Sequence, residues 1–240
     1  TSKFSMGNDV ADINHDGLPD ILTLDMNAED ETVLKSSEGD EDFQIKKLRT
    51  DQYGYYHQFM RNMMQVNQPD GSFKETALLS GVASTDWSWS ALFGDYNQDG
   101  EQDLFISNGI ERRPNDLDYI KYVSNEQIVK KIDNTKLVDQ EALIKMPSGK
   151  VPNYIFMGKG DLMFENKSTT WFSDNPPSVS NASALGDLDN DGDLDLVVSN
   201  LNDVVSIYAN QTDKTEHSYL KIKFNYLKPN TFGIGTKVYA

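Results

Sequence analysis

The stretch GDLDNDGDLDLVVSN, residues 186–200, carries an aspartate at every second position and then becomes apolar. Its five aspartates are Asp187, Asp189, Asp191, Asp193 and Asp195. Carboxylates held about 4 Å apart repel one another by about 1 kcal/mol per pair in water, and by more where solvent is partly excluded. The stretch therefore predicts a turn that needs a cation, followed by a buried strand.

The pattern D-x-[DN]-x-D-G-x-x-D-[IL] occurs three times, beginning at Asp12, Asp95 and Asp187. The intervals are long and unequal, as expected of one repeat unit that carries insertions. Each copy lies between two short strand-like segments, so we expect each loop to join neighbouring strands. The run after each loop is apolar on both faces, which predicts a strand packed between two sheets.

The residue types in the pattern favour calcium. Positions 1, 3, 5 and 9 have short oxygen-bearing side chains, the glycine at position 6 permits a sharp turn, and the variable position 7 is expected to offer its backbone carbonyl. Such a flexible, all-oxygen site suits calcium better than magnesium. We predict up to three calcium sites, with candidate ligands Asp12, Asn14, Asp16, Leu18, Asp20, Asp95, Asn97, Asp99, Glu101, Asp103, Asp187, Asp189, Asp191, Asp193 and Asp195.

Two comparisons refine this prediction. An EF-hand needs a glutamate at position 12 and flanking helices, but position 12 here is Thr23, Ile106 or Val198 and the flanks are strand-like. The third loop has four ligand carboxylates where each of the other two has three, so we expect it to bind calcium most tightly.

The repeats predict an all-β fold of three four-stranded antiparallel units. We assign residues 1–220 to the repeats and the last strand to 221–240, with unit 1 at about 4–82, unit 2 at about 86–170 and unit 3 at about 180–225. Partly helical insertions are expected at about 28–57 and 110–150. The segments VVSIYANQ and SYLKIKF are expected to supply the last two strands of unit 3.

The composition of the 240-residue chain narrows the function. A formal net charge of −16 disfavours binding to nucleic acid or anionic lipid, and no apolar run is long enough to insert into a membrane. The absence of cysteine excludes thiolate sites and cysteine nucleophiles. No G-x-S-x-G, H-E-x-x-H or Walker loop is present, and the three histidines are scattered, so we expect no enzymatic activity.

Several stretches resemble a known family. ALFGDYNQDGEQDLFISNG and SALGDLDNDGDLDLVVSN resemble FG-GAP/VCBS repeats, and SMGNDVADINHDGLPDILTLDM is similar to exported repeat proteins of Bacteroidetes-type bacteria related to cartilage acidic protein. The C-terminal HSYLKIKFNYLKPNTFGIGTKVYA resembles the start of an ASPIC-type module. The resemblance implies an integrin-alpha-like β-propeller whose blades bind calcium. Three blades are too few for a closed ring, so we expect further blades in a larger chain or a second copy.

Together these features predict a calcium-stabilised binding module of an exported or cell-surface protein, bacterial outer membrane-associated or periplasmic, with a glycan or protein ligand. Two alternatives stay open: a carbohydrate-active enzyme such as a polysaccharide lyase or hydrolase, and a purely structural segment of a larger protein. Trp87 and Trp89 share one face of a predicted strand. They fit either core packing or a platform for stacking sugars.

Overall fold

The computed structural model describes residues 1–37, 42–124, 142–212, 219–236 and 238. Strands make up 32% of the chain and helices 15%, so the predicted β-rich class is confirmed. The strands pair in antiparallel sheets that curl, and one of these sheets forms a half-barrel.

The strands of the described ranges form three main sheets and one ribbon. In chain order they are β1 (Asn8–Ala11), β2 (Asp20–Thr23), β3 (Met26–Asn27), β4 (Met63–Asn67), β5 (Phe73–Glu75), β6 (Asp86–Gly94), β7 (Asp103–Asn108), β8 (Ile110–Arg112), β9 (Ser148–Gly149), β10 (Tyr154–Gly158), β11 (Phe164–Asn166), β12 (Ser180–Gly186), β13 (Asp195–Asn200) and β14 (Ser206–Tyr208). The first sheet has the order β1-β2-β4-β5, the second β11-β10-β7-β6-β3 and the third β12-β13-β14. β8 and β9 form the ribbon.

These strand numbers correct the prediction of three four-stranded units. The first sheet does have four strands, but the second has five because β3 crosses from the first unit and pairs with β6, with Met26 opposite Trp87. The third sheet has three strands among the residues described. The repeated sequence pattern did not predict that a strand of the first unit pairs with the second sheet, because β3 is only two residues long and has no strand pattern of its own.

The fourth strand expected from SYLKIKF is not formed in residues 219–224. This segment instead lies across the third acidic loop. The ring of Tyr219 packs directly on Gly192, and Lys221 Nζ lies 3.3 Å from Asp187 Oδ2. Residues 219–236 and 238 contain no strand, so the last strand placed at the start of 221–240 is also absent from the described part of that segment.

The second sheet lies between the other two. One core, which includes Leu22 and Leu104, fills the space between the first and second sheets. Another core, which includes Phe105 and Val198, fills the space between the second and third sheets. All six side chains of β7 are buried, because Leu104 and Ile106 enter one core and Phe105 enters the other.

Burial on both faces, predicted for the strand after each acidic loop, is therefore confirmed for β7 only. In β2 and β13, buried residues alternate with half-buried or exposed ones. The reason is that the first and third sheets each have a neighbouring sheet on one side only within the described chain.

Both predicted insertions contain helices. α1 (Glu31–Ser36) and α2 (Phe43–Tyr53) lie in the first insertion and α4 (Leu117–Val123) in the second, while α3 (Ala77–Ser80) follows β5. Asp30, Asp42 and Asp116 cap α1, α2 and α4 by accepting backbone N–H groups of the first turn. Among the residues described, no helix is long and apolar enough to cross a bilayer.

The strands that precede the three acidic loops, β1, β6 and β12, lie side by side. β6 contacts β1 on one side and β12 on the other. The backbone N–H of Phe93 donates to Asp9 Oδ2 at 2.7 Å, and the hydroxyls of Ser90 and Ser183 lie 2.7 Å apart. This arrangement brings the loops that follow the three strands to the same end of the molecule.

Candidate metal centre

Each acidic loop joins two neighbouring antiparallel strands of one sheet, as predicted. The loop 12–20 connects β1 to β2, 95–103 connects β6 to β7, and 187–195 connects β12 to β13. In all three, the aspartate at position 9 begins the second strand and pairs with the residue just before position 1. The repeat in the sequence is thus also a repeat in the hydrogen-bond register.

The three loops follow the same backbone course. Position 4 has positive φ in each loop, 56° at His15, 58° at Gln98 and 63° at Asn190. The glycine at position 6 also has positive φ, up to 100° at Gly192. Because a residue with a Cβ is strained in this region, the turn requires glycine at position 6.

The aspartate at position 9 fastens each loop to the next strand of its sheet, which is β4 in the first sheet, β10 in the second and β14 in the third. Asp20, Asp103 and Asp195 are fully or almost fully buried. One carboxylate oxygen accepts the N–H of the residue at position 2, and the other accepts an N–H at or just beyond the end of this next strand. The donor pairs, at 2.7–3.0 Å, are Ile13 and Asn67, Tyr96 and Gly158, and Leu188 and Asn210.

Asn67 and Asn210 are site residues that the sequence analysis missed. Besides the backbone bond to the ninth aspartate, each donates its side-chain Nδ2 to the carbonyl at position 8, that of Pro19 or Leu194, at 3.2 and 3.3 Å. The dipeptide Asn-Gln at 67–68 and again at 210–211 was the available signal. The second loop has Gly158 at this place, which donates only its backbone N–H.

Burial raises the pKa of the Asp103 carboxyl to about 7, although hydrogen bonds from the Gly158 and Tyr96 amides lower it. The nearby Asp99 and Asp95 carboxylates raise the pKa of Asp103 further. Burial likewise raises the pKa of Asp20. Each of these carboxyls would lose its proton more readily if a cation lay beside it.

In the first two loops, hydrogen bonds within the loop hold the crowded carboxylates. Asp12 accepts the N–H of Asp16 at 3.1 Å and that of Gly17 at 2.8 Å. The side-chain amide of Asn14 donates to Asp16 Oδ2 at 3.0 Å, which reduces the repulsion between the two aspartates. The second loop has the equivalent bonds, from Asp99 and Gly100 N–H to Asp95 and from Asn97 Nδ2 to Asp99 Oδ2.

The third loop has a carboxylate cluster instead. Oxygens of Asp187, Asp189 and Asp191 all lie within 4.8 Å of one another. Asp189 stands where the other loops have asparagine, so it has no N–H to donate. Asp187 Oδ1 is buried and has no hydrogen-bond partner in the described part of the chain. Three clustered carboxylates with an unsatisfied oxygen fit a hard cation such as calcium.

A positive side chain already lies beside this cluster. Lys221 Nζ is 3.3 Å from Asp187 Oδ2, and its side chain is 69% exposed. The pair is therefore weak, since an exposed ion pair is screened by solvent. It places one ammonium charge beside Asp187, one of the three clustered carboxylates.

Neighbouring loops are also in contact. His15 Nε2 of the first loop lies 3.2 Å from Glu101 Oε2 of the second. Gln98 Nε2 of the second loop donates to the carbonyl of Gly192 in the third at 2.9 Å. The loops therefore form one continuous acidic edge.

The structure groups the predicted ligands unevenly. Only in the third loop do carboxylates from positions 1, 3 and 5 form a cluster, and within the described residues Asp195 is not a member of it. Of the residues at position 7, Asp193 is buried, whereas Leu18 and Glu101 are half-buried. Position 9 makes backbone hydrogen bonds in every loop, a role that the sequence analysis did not assign to it.

No protein-family model matches the chain, and no curated protein sequence matches it. The resemblance to FG-GAP/VCBS repeats therefore stays a prediction from the motifs. The chemistry of the three loops is the main clue to what the protein does.

Proposed function

We propose that this chain is a non-enzymatic, calcium-stabilised binding module, and that its third acidic loop holds the ion. The observation that carries the proposal is the cluster of Asp187, Asp189 and Asp191 with the unsatisfied Oδ1 of Asp187. These three side chains are the proposed ligands, and calcium would supply two positive charges to the cluster and a partner for Asp187 Oδ1. The first two loops are weaker candidates, because in each an asparagine amide donates to an aspartate and so reduces the repulsion between the carboxylates.

Calcium in this position acts on stability. An ion that binds the folded state alone stabilises it by RT ln(1 + [L]/Kd), about 2.7 kcal/mol at a hundredfold excess over Kd. The third loop joins β12 to β13, and Val198 of β13 lies in the core between the second and third sheets. Loss of calcium should therefore loosen the third sheet first.

The finer architecture is part of the proposal. Side-by-side first strands and repeated loops at one end support a partial β-propeller of the FG-GAP/VCBS type. The outer face of the third sheet exposes Ile207 and Val205, 64% and 54% exposed, beside the half-buried Val197. A further sheet from a larger chain or a second copy would cover this face. Calcium sites of the weaker, extracellular kind fill where calcium is abundant, which supports an exported or cell-surface location.

The partner in this proposal is a glycan or a protein. The helical insertions and the ribbon of β8 and β9 provide irregular surface outside the sheets, where binding residues commonly lie. The net charge of −16 disfavours nucleic acid and other polyanions as partners.

Thermal unfolding with millimolar calcium and then with excess chelator tests the calcium site. We expect the melting temperature to fall by about 5–10 °C in chelator, from about 2.7 kcal/mol in a chain of this size. Asp191→Ala should reduce this fall, because it removes one of the three clustered carboxylates. Asp99→Ala, the same change at position 5 of the second loop, is the matched control and should keep most of it.

If the melting temperature is the same in calcium and in chelator, the proposal that calcium stabilises the protein is wrong. A full calcium effect in Asp191→Ala together with a reduced effect in Asp99→Ala would move the ion to the second loop.

A further inference from the structure

A cavity of about 320 Å³ lies where the two insertions meet the edge of the second sheet. Its wall includes Leu34 of α1, Met26 of β3, and Trp87 of β6, together with Asn115 just before α4. The cavity is at the lower end of the range for small-molecule sites, so it suits a ligand of about one ring.

Two polar groups of this wall have unused hydrogen-bonding capacity. The indole Nε1 of Trp87 and the amide Oδ1 of Asn115 are both buried, and neither has a partner among the described residues. The first can only donate and the second can only accept. A hydroxyl group can do both, so the hydroxyls of a neutral ligand can satisfy the two atoms, whereas apolar groups cannot.

The charges of the wall are already paired. The buried Arg113 donates to both carboxylate oxygens of Asp86, at 3.0 and 2.8 Å. Arg61 forms an ion pair with Glu75. Among the described residues of the wall there is therefore neither an unpaired cation for an acidic ligand nor an unpaired anion for a basic one, and a neutral ligand fits best.

We propose that this cavity binds a single neutral sugar residue, whose hydroxyl groups accept from Trp87 Nε1 and donate to Asn115 Oδ1. The apolar wall, with the indole of Trp87, the ring of Phe59 and the side chain of Leu34, faces the C–H groups of the sugar ring. This names the ligand class for the binding role proposed above, and its biological meaning rests on that role.

Binding requires a small adjustment of the wall. The two unsatisfied atoms lie beneath the cavity surface, so a neighbouring side chain must move before a hydroxyl reaches them. Met26 and Met60 line the same cavity, and their unbranched side chains adapt easily. Ordered water is the competing occupant, although about 320 Å³ exceeds the share of a single water molecule, about 30 Å³.

The experiment uses saturation-transfer NMR and titration calorimetry with the methyl glycosides of glucose, galactose, mannose and N-acetylglucosamine. We expect at least one glycoside to bind. Trp87→Phe, which keeps an aromatic ring but removes the N–H donor, should weaken that binding about tenfold.

Trp89→Phe is the matched control. It is the same change two residues away, but the Trp89 indole donates to the carbonyl of Gly109 at 2.7 Å and is not part of the cavity wall. Its affinity should equal that of the unmodified protein. Melting curves of both variants establish that they are folded.

Three outcomes overturn the inference: no glycoside binds, Trp87→Phe binds as tightly as Trp89→Phe, or an acetylated dipeptide amide binds in preference to every glycoside. Each titration is run in calcium and in chelator, with melting curves alongside. Sugar binding without a calcium effect on melting contradicts only the calcium proposal. A calcium effect without sugar binding contradicts only the sugar site.

Discussion

The second and third acidic loops have the same backbone course and the same strand register, yet the side chain at position 3 makes different hydrogen bonds to the neighbouring aspartate. In the second loop, Asn97 Oδ1 accepts the N–H of Asp99 while its Nδ2 donates to the Asp99 carboxylate. In the third loop, Asp189 Oδ1 accepts the N–H of Asp191 in the same way, but it has no amide to donate. The change from amide to carboxylate at position 3 thus separates a loop whose asparagine donates to the neighbouring aspartate from a loop with three clustered carboxylates, which we propose binds the cation.

This comparison teaches that the motif has two separable parts. The aspartate at position 9 anchors the loop to its sheet, since its oxygens accept two backbone N–H groups in every copy. Under the calcium proposal, the side chains at positions 1, 3 and 5 determine how strongly a loop binds the ion.

The largest expected effect on stability comes from replacing the aspartate at position 9, which all three loops share. Asp103→Ala and Asp195→Ala should each lower the free energy of unfolding by about 2–5 kcal/mol, because each leaves two backbone N–H groups without acceptors. Urea unfolding in chelator measures this loss without any contribution from calcium. Ser199→Ala, at an exposed position of β13, is the control and should stay within about 0.5 kcal/mol. A large loss in one loop with none in the other would mean that the anchoring is not shared.

The next effect concerns position 3, which is Asn97 in the second loop and Asp189 in the third. Asp189→Asn should allow the new amide to donate to Asp191, as Asn97 does to Asp99, and should relieve about 1 kcal/mol of repulsion. In chelator the melting temperature should then rise by about 2–4 °C, and the stabilisation by calcium should shrink.

The reciprocal variant is Asn97→Asp, which gives the second loop three clustered carboxylates. It should melt lower in chelator and gain a calcium response. If Asp189→Asn destabilises the protein in chelator, the repulsion argument is wrong.

A further expected effect is a pH dependence of the metal-free protein. The pKa of Asp103 rises on folding from 3.8 to about 7, so the folded state holds this proton more tightly than the unfolded state. The Asp103 contribution to stability therefore grows as the pH falls from about 7 towards about 4. Asp103→Asn removes the titrating group, and its melting temperature in chelator should rise less, or fall more, between about pH 8 and pH 5.5. Equal pH profiles for the two proteins would contradict the raised pKa.

The sequence predicted the parts of the fold that depend on local spacing. The acidic pattern located all three loops and the strands on both sides of them. This was possible because the residues that predict the turn and those that predict the strands are adjacent in the chain. The five-stranded second sheet was missed, since the pairing of Met26 with Trp87 joins segments about sixty residues apart. The position of Tyr219 and Lys221 across the third loop was missed for the same reason.

The candidate site was predicted in part. Residue types predicted calcium ligands and favoured the third loop, where the structure has a carboxylate cluster. They could not show that the ninth aspartate accepts backbone N–H groups, because its partners are far away in the sequence, at or just beyond the ends of β4, β10 and β14. The cavity at Trp87 was not predictable, since its wall joins both insertions. Its only trace in the sequence was the pair Trp87 and Trp89, and the structure places only Trp87 in that wall.

The path of β3 has a consequence for the integrity of the molecule. The chain leaves the first sheet after β2, contributes β3 to the second sheet, and returns to the first sheet at β4. A proteolytic nick in the first insertion would therefore produce two fragments, each of which has strands in both sheets. Such fragments should stay associated and reassemble after separation, so the first insertion can be cut, or exchanged for another segment, without dividing the body of the protein.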